Sequence, residues 1–168
     1  MYNENYKNIL LKFVYLALTA CQVGFHPLLI GKEGSGLTKL AKIIASIYNN
    51  ENYQYLLCNS ETSDEDLIGN YQPETNNDVN SENLSSLIYW RDSPILKGLK
   101  NGEPVILDDI NFSKTQIIES LNSLLKTNIK YNVKYNKNYK YSIIQKREDK
   151  EINITDKNKS FDIIVTMK

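Results

Sequence analysis

The chain has 168 residues, enough to bury one core and within the range of a single domain. Its 20 Lys and Arg balance 20 Asp and Glu, which excludes the global basic field carried by a dedicated nucleic-acid binder. Two cysteines, Cys21 and Cys58, lack metal-ligand spacing and form no disulfide framework, so both are expected as buried thiols in a reducing compartment.

The longest apolar run, Ile9 to Val23, is broken by Lys12, Thr19 and Gln22 and is too interrupted to span a membrane. The start lacks a basic signal-peptide region, so a soluble intracellular protein without a membrane partner is expected. Helical spacing over Asn8 to Cys21 predicts an apolar face of Ile9, Phe13, Leu16, Ala17 and Ala20, closed by Gly24. Leu28 to Ile30 reads as a short strand. Leu37 to Tyr48 reads as a helix with Leu40, Ala41, Ile44 and Ile47 or Tyr48 inward. Tyr53 to Cys58 is a second strand, and Ser63-Asp64-Glu65-Asp66 opens a short helix that Gly69 interrupts.

Polar residues from about 72 to 83 read as an exposed insertion. A short element follows at Leu87 to Trp90, then a helix with Pro94 in its first turn and Gly102 after its end. Pro104 to Asp109 is a third strand ending in two acids. Lys114 to Lys126 is an amphipathic helix, capped by Ser113, with Ile117, Ile118, Leu121, Leu124 and Leu125 inward. A second insertion, about 127–160, precedes a last strand over Phe161 to Thr166. Alternating strands and helices predict an α/β fold with a mainly parallel sheet in one domain, 1–168.

Within this order one stretch carries chemistry: Gly31-Lys32-Glu33-Gly34-Ser35-Gly36-Leu37-Thr38, between a strand and a helix. That is the setting of a phosphate-binding loop, Gly-x-x-x-x-Gly-Lys-[Ser/Thr], whose backbone N–H groups converge on an anion at a helix N-terminus. Leu37 stands at the lysine position. In nucleoside triphosphatases an apolar strand ends in an acid near the hydrated Mg²⁺. Val105-Ile106-Leu107-Asp108 fits, and Thr38 sits where a hydroxyl ligand belongs, so Thr38 and Asp108 are the candidate Mg²⁺ pair. The bland alternative is a strand-end cap beside an empty glycine turn. His26, the single histidine, is expected as a surface loop residue, and Trp90 as a packing anchor.

Several stretches together resemble the midasin family of dynein-related AAA+ ATPases. They are the loop after His26-Pro27-Leu28-Leu29-Ile30, the segment Asp66-Leu67-Ile68-Gly69-Asn70-Tyr71-Gln72-Pro73, and the segment Tyr89 to Gly102 with its Trp90, Asp92, Pro94 and Leu99. Val105 to Asn111, Leu121 to Leu125 and Ile163 to Met167 complete the set. The resemblance implies a P-loop AAA+ large subdomain with a three-layer αβα core, truncated before its helical lid, that binds ATP or ADP with Mg²⁺. It also implies ring assembly with other AAA+ modules, and a chaperone-like remodelling of pre-60S ribosomal particles and their assembly factors in the nucleus.

The departures from the family pattern bear on activity. Leu37 removes the charge that would neutralise the β- and γ-phosphates. Lys39 is no substitute, because two helical positions are about 200° of rotation. Asp109 occupies the position of the water-polarising glutamate but is one methylene shorter, and Lys168 stands where the strand-end sensor asparagine belongs. Three catalytic positions changed together predict a module that holds nucleotide weakly and hydrolyses it poorly. Alternatives are a binding module of a von Willebrand-A-associated or other dynein-related protein, an independent small ATPase, and an RNA binder using the Lys130 to Tyr141 pattern. For that last stretch a β-hairpin insertion is the preferred reading.

Overall fold

The computed structural model describes residues 4–73, 88–125 and 161–168. The insertion at 127–160, with its Lys/Tyr pattern, lies outside them, as does most of the one at 72–83. In chain order the elements are α1 (Glu4–Val23), β1 (Leu28–Ile30), α2 (Leu37–Tyr48), β2 (Gln54–Leu57), α3 (Asp64–Ile68), β3 (Gly69–Pro73), β4 (Ile88–Asp92), α4 (Pro94–Asn101), β5 (Val105–Asp108), a 3-10 turn (Ile110–Phe112), α5 (Thr115–Leu125) and β6 (Ile163–Met167).

The described strands of the main sheet run in the order β1-β6-β5-β2, every pairing parallel. Parallel neighbours need crossover connections, and the helices that supply them cover both faces. Successive side chains of a strand point to opposite faces, so β5 and β6 divide their residues between two cores. Ile106 and Ile164 meet Val14 and Ala17 of α1 and Ala41, Ile44 and Ala45 of α2. Val105, Leu107 and Ile163 meet Leu67 of α3, Ile95 and Leu99 of α4, and Ile117 and Leu121 of α5. The predicted three-layer αβα arrangement is thus the one the strand alternation builds.

Side-chain orientation departs from expectation in four places. The buried stripe of α1 is Val14, Ala17 and Cys21, while Phe13 and Leu16 are 54% and 63% exposed, and Ile9 is exposed as well. The small Ala17 lets α1 lie close to Ala41 and Ala45, and the bulkier stripe beside it is turned out. In α2, Ile47 is 56% exposed, so of Ile47 and Tyr48 it is the half-buried Tyr48 that turns inward, and Ala45 joins the core beside the expected residues. In α5, Ile117 and Leu121 are buried but Ile118 is exposed. Ser113 does not cap α5: among the described residues its buried hydroxyl accepts no helix N–H. The expectation of two buried thiols holds, since Cys21 and Cys58 are both fully enclosed.

A short antiparallel pair, β3 with β4, stands beside the sheet. Tyr71 and Trp90 meet edge to face across it, ring centroids 4.9 Å apart. Trp90 also lies over Gly69, which supports its expected packing role. The chain then enters α4 through Ser93, whose hydroxyl accepts the Leu96 N–H at 3.0 Å and donates to the Leu67 carbonyl at 2.5 Å. Pro94 occupies the first turn and Gly102 closes the helix with φ 72°. Among the described residues, no helix is long and apolar enough to cross a membrane.

Candidate functional site

The carboxyl ends of the parallel strands are where open α/β sheets bind ligands, and the predicted site residues gather there. Ile30 of β1 is in register with Met167 of β6, and the Gly31 N–H donates to the Met167 carbonyl at 3.2 Å. The loop therefore departs directly beside the end of β6. Gly34 and Gly36 have φ of 77° and 85°, a region that glycine adopts without steric cost. A Cβ built on either would meet nothing within 4 Å, so the turn opens outward. Lys32, Glu33 and Ser35 are exposed along it. The Ser35 N–H closes the turn on the Lys32 carbonyl at 3.1 Å. Leu37 begins α2, whose first N–H groups have no intrahelical acceptor. Its methyl groups fold back over Gly31, where an added Cβ would lie 3.3 and 3.5 Å from them. Position 37 therefore presents hydrocarbon to the loop.

Thr38 lies one residue further and reaches β5. Its hydroxyl donates to Asp108, 2.8 Å from Oδ2 and 3.1 Å from Oδ1. The two residues named from the sequence as a candidate Mg²⁺ pair are thus in direct hydrogen-bond contact. Two more hydroxyls complete the carboxylate's shell. Tyr55 of β2 donates to Oδ2 at 2.8 Å, and Thr166 of β6 donates to Oδ1 at 2.5 Å. Burial pushes the Asp108 carboxyl up. The hydroxyls of Thr166, Tyr55 and Thr38, with the charge of Lys168, outweigh it and hold the acid below the ordinary carboxylate range.

Asp109 is the first residue beyond β5 and takes the left-handed conformation, φ 60°. Its N–H donates to the Thr166 hydroxyl at 2.8 Å. Its Oδ2 receives the Lys168 ammonium at 2.7 Å, and its buried Oδ1 has no hydrogen-bond partner among the described residues. Lys168 is fixed a second time through its own N–H, which donates to Asn111 Oδ1 at 3.1 Å. Its bond to Asp109 raises the ammonium's proton affinity first; partial desolvation opposes this, and the charges of Asp109, Glu33 and Asp108 add to it.

The donor set suits a hydrated Mg²⁺ that arrives with phosphate. The Thr38 hydroxyl gives its proton to Asp108 and keeps its lone pairs for a cation. Asp108 oxygens are already bonded to three hydroxyls, which suits a carboxylate that acts through water. No cluster of three or more His, Cys, Asp or Glu able to hold a metal occurs among the described residues.

Sequence reasoning missed Tyr55 and Thr166. Thr166 is visible as the polar residue inside the apolar run Ile163 to Met167; Tyr55 gives no signal, because an aromatic in a strand is ordinary. His26 is a correction. Its side chain is 15% exposed, its Nδ1 accepts the Ile163 N–H at 3.2 Å, and Asp162 lies 3.5 Å away. It pins the entry of β1 to β6 and is no surface residue.

A parallel αβα core with a glycine loop joined to a strand-end acid defines a nucleoside-triphosphatase-type fold. The family model for the AAA domain, dynein-related subfamily, matches residues 26–168, and the chain belongs to that family. The uncharacterized protein SSP1341 of Staphylococcus saprophyticus is 33% identical over 74% of this chain and 45% of its own length. The uncharacterized protein SERP0979 of Staphylococcus epidermidis is 32% identical over 62% of this chain and 37% of its own. Midasin of Giardia intestinalis is 25% identical over 71% of this chain and 3% of its own length. The chain thus spans less than half the length of each of these relatives.

Proposed function

We propose that this module holds ATP or ADP, with Mg²⁺, as a structural or regulatory member of a larger AAA assembly, and that its own hydrolysis is slow. Gly31 to Thr38 would hold the phosphates, while Thr38 and Asp108 would position the cation. Mg²⁺ would neutralise phosphate charge there. The observation that carries the slow-hydrolysis reading is the Asp109–Lys168 pair. A carboxylate clamped by an ammonium at 2.7 Å, on a backbone turned to φ 60°, is poorly placed to draw a proton from water. Leu37 adds to this by offering methyl groups where an ammonium would stabilise developing charge.

The test is nucleotide titration with single-turnover hydrolysis on the full-length protein, its other modules inactivated. Binding with cleavage far below that of active AAA sites is expected. Cleavage at their rate would overturn the slow-hydrolysis reading, and absence of binding would overturn the nucleotide reading.

A midasin-like role, in a ring of AAA modules that remodels pre-60S particles in the nucleus, is the second reading. Its support is the similarity to Giardia midasin together with the order of the resembling segments. The staphylococcal relatives are bacterial and favour a dynein-related ATPase without that target. Adjoining coding sequence separates the two: five further AAA modules and a terminal metal-dependent adhesion-type domain belong to the midasin case.

A further inference from the structure

We infer that Lys168, supplied from the end of β6, takes over the cationic role that position 37 has lost and neutralises the terminal phosphates of the nucleotide held by Gly31 to Thr38. This rests on the nucleotide reading above and goes beyond it by naming the group that replaces the loop lysine. Sequence separation hides the pairing, since 131 positions divide residues 37 and 168. Strand order removes that distance. β6 lies beside β1, Ile30 is level with Met167, and the first loop amide bonds the Met167 carbonyl at 3.2 Å. Residue 168 therefore begins where the loop begins.

Three further observations set its charge toward the loop. The Lys168 backbone is anchored by Asn111 and its ammonium by Asp109, so the side chain is held at the carboxyl edge. The ammonium interacts electrostatically with Glu33, a loop residue, as well as with Asp108. Its side chain is 27% exposed, so the ammonium is not sealed away from solvent. Three carboxylates, Glu33, Asp108 and Asp109, act on that ammonium. A polyphosphate added to such a site needs a cation there, and Leu37 is none. The ammonium gives Asp109 Oδ2 one hydrogen bond and carries three N–H donors, so it can be shared with a phosphate oxygen.

The test is titration of the full-length protein with ATP and ADP, in the presence of Mg²⁺, by calorimetry. Lys168→Met should weaken ATP binding about ten- to a hundredfold, the range of one hydrogen bond between charged groups, and ADP binding less. Lys168→Arg should keep most of the affinity. Leu37→Lys added to Lys168→Met should restore it, which a purely structural role for Lys168 does not predict. Asp109→Asn should tighten ATP binding by releasing the ammonium, and should do so by more in the wild type than once Lys168 is methionine. Equal affinity of the wild-type protein and Lys168→Met overturns the inference while leaving the nucleotide reading intact. A wild-type protein that binds no nucleotide overturns both. Should Lys168→Met fail to fold, Lys168→Gln decides: weaker ATP binding supports the inference, and unchanged or tighter binding overturns it.

Discussion

The Thr166 hydroxyl donates to Asp108 Oδ1 at 2.5 Å and at the same time accepts the Asp109 N–H at 2.8 Å. One side chain of β6 thus sets both acids at the end of β5, one through its carboxylate and the other through its backbone. Thr166→Val keeps the shape and deletes both bonds. It leaves a buried N–H unpaired and takes a donor from a buried carboxylate, for a loss on the order of 3 kcal/mol. In a chain of this size that lowers the melting temperature by about 6–12 °C. Thr166→Ser, which keeps the hydroxyl, should lose much less. Thermal denaturation of the three proteins decides; equal stability of the valine variant would mean that the hydroxyl is replaceable by water.

The same hydroxyl shell makes stability depend on acidity. Asp108 is held below its unfolded value, so between the two values the unfolded chain binds more protons than the folded one. Stability from this group is therefore fully present above the unfolded carboxylate value, about 3.9, and is lost as pH falls toward the folded one. Asp108→Asn should flatten that part of the acid limb while lowering stability at neutral pH. Denaturant midpoints measured between about pH 6 and pH 2 test it. An acid limb identical in wild type and variant would remove Asp108 as its source.

Much of this was legible in the residues, and the gaps have physical causes. The strand–loop–helix order and the meeting of Thr38 with Asp108 follow from local patterns that the sheet brings together. The inward face of α1 did not, because Ile9, Phe13 and Leu16 form one apolar stripe and Val14, Ala17 and Cys21 another. Periodicity ranks stripes by hydrophobicity, whereas packing against α2 selects the one with small residues. His26 and Tyr55 were misread or missed for a different reason. Their partners, Ile163 and Asp108, lie 137 and 53 positions away, and single-sequence spacing carries no trace of such pairs. Lys168 was legible as a departure from a pattern, but its bond to Asp109 needed the strand order.

Gly69 joins α3 to β3 with φ 125°, a conformation essentially confined to glycine. A Cβ there would lie 2.5 Å from the Arg91 carbonyl oxygen and 2.8 Å from the Trp90 ring. Gly69→Ala combines backbone strain with that clash, and a loss of about 2–4 kcal/mol is expected. Trp90 is the sole tryptophan of the chain, so its fluorescence reports on this hairpin directly. The variant should shift the Trp90 emission toward that of a solvated indole at temperatures where the far-ultraviolet dichroism is still native. Coincident loss of both signals would tie the hairpin to the core more tightly than the two packed aromatics imply.

Two phenols bonded to carboxylates set the alkaline limit. Tyr48 donates to the buried Asp162, and Tyr55 donates to Asp108 at 2.8 Å. Burial raises both phenols, and the accepting carboxylate raises each further, so both lie above the ordinary tyrosine range. The sign follows from the protonated form being favoured in the folded chain. Stability is fully present below the unfolded value, about 10, and falls as pH rises beyond it, because the unfolded chain then releases protons that the folded chain retains. Tyr55→Phe should lower stability near neutrality by about 1–3 kcal/mol, through the donor lost to Asp108, and should make the alkaline limb shallower. Tyr48→Phe should do the same through Asp162. Denaturant midpoints collected from about pH 8 to pH 11.5, alongside phenolate absorbance of the native protein, separate the two contributions. An alkaline limb of unchanged slope in both variants would assign it to other groups.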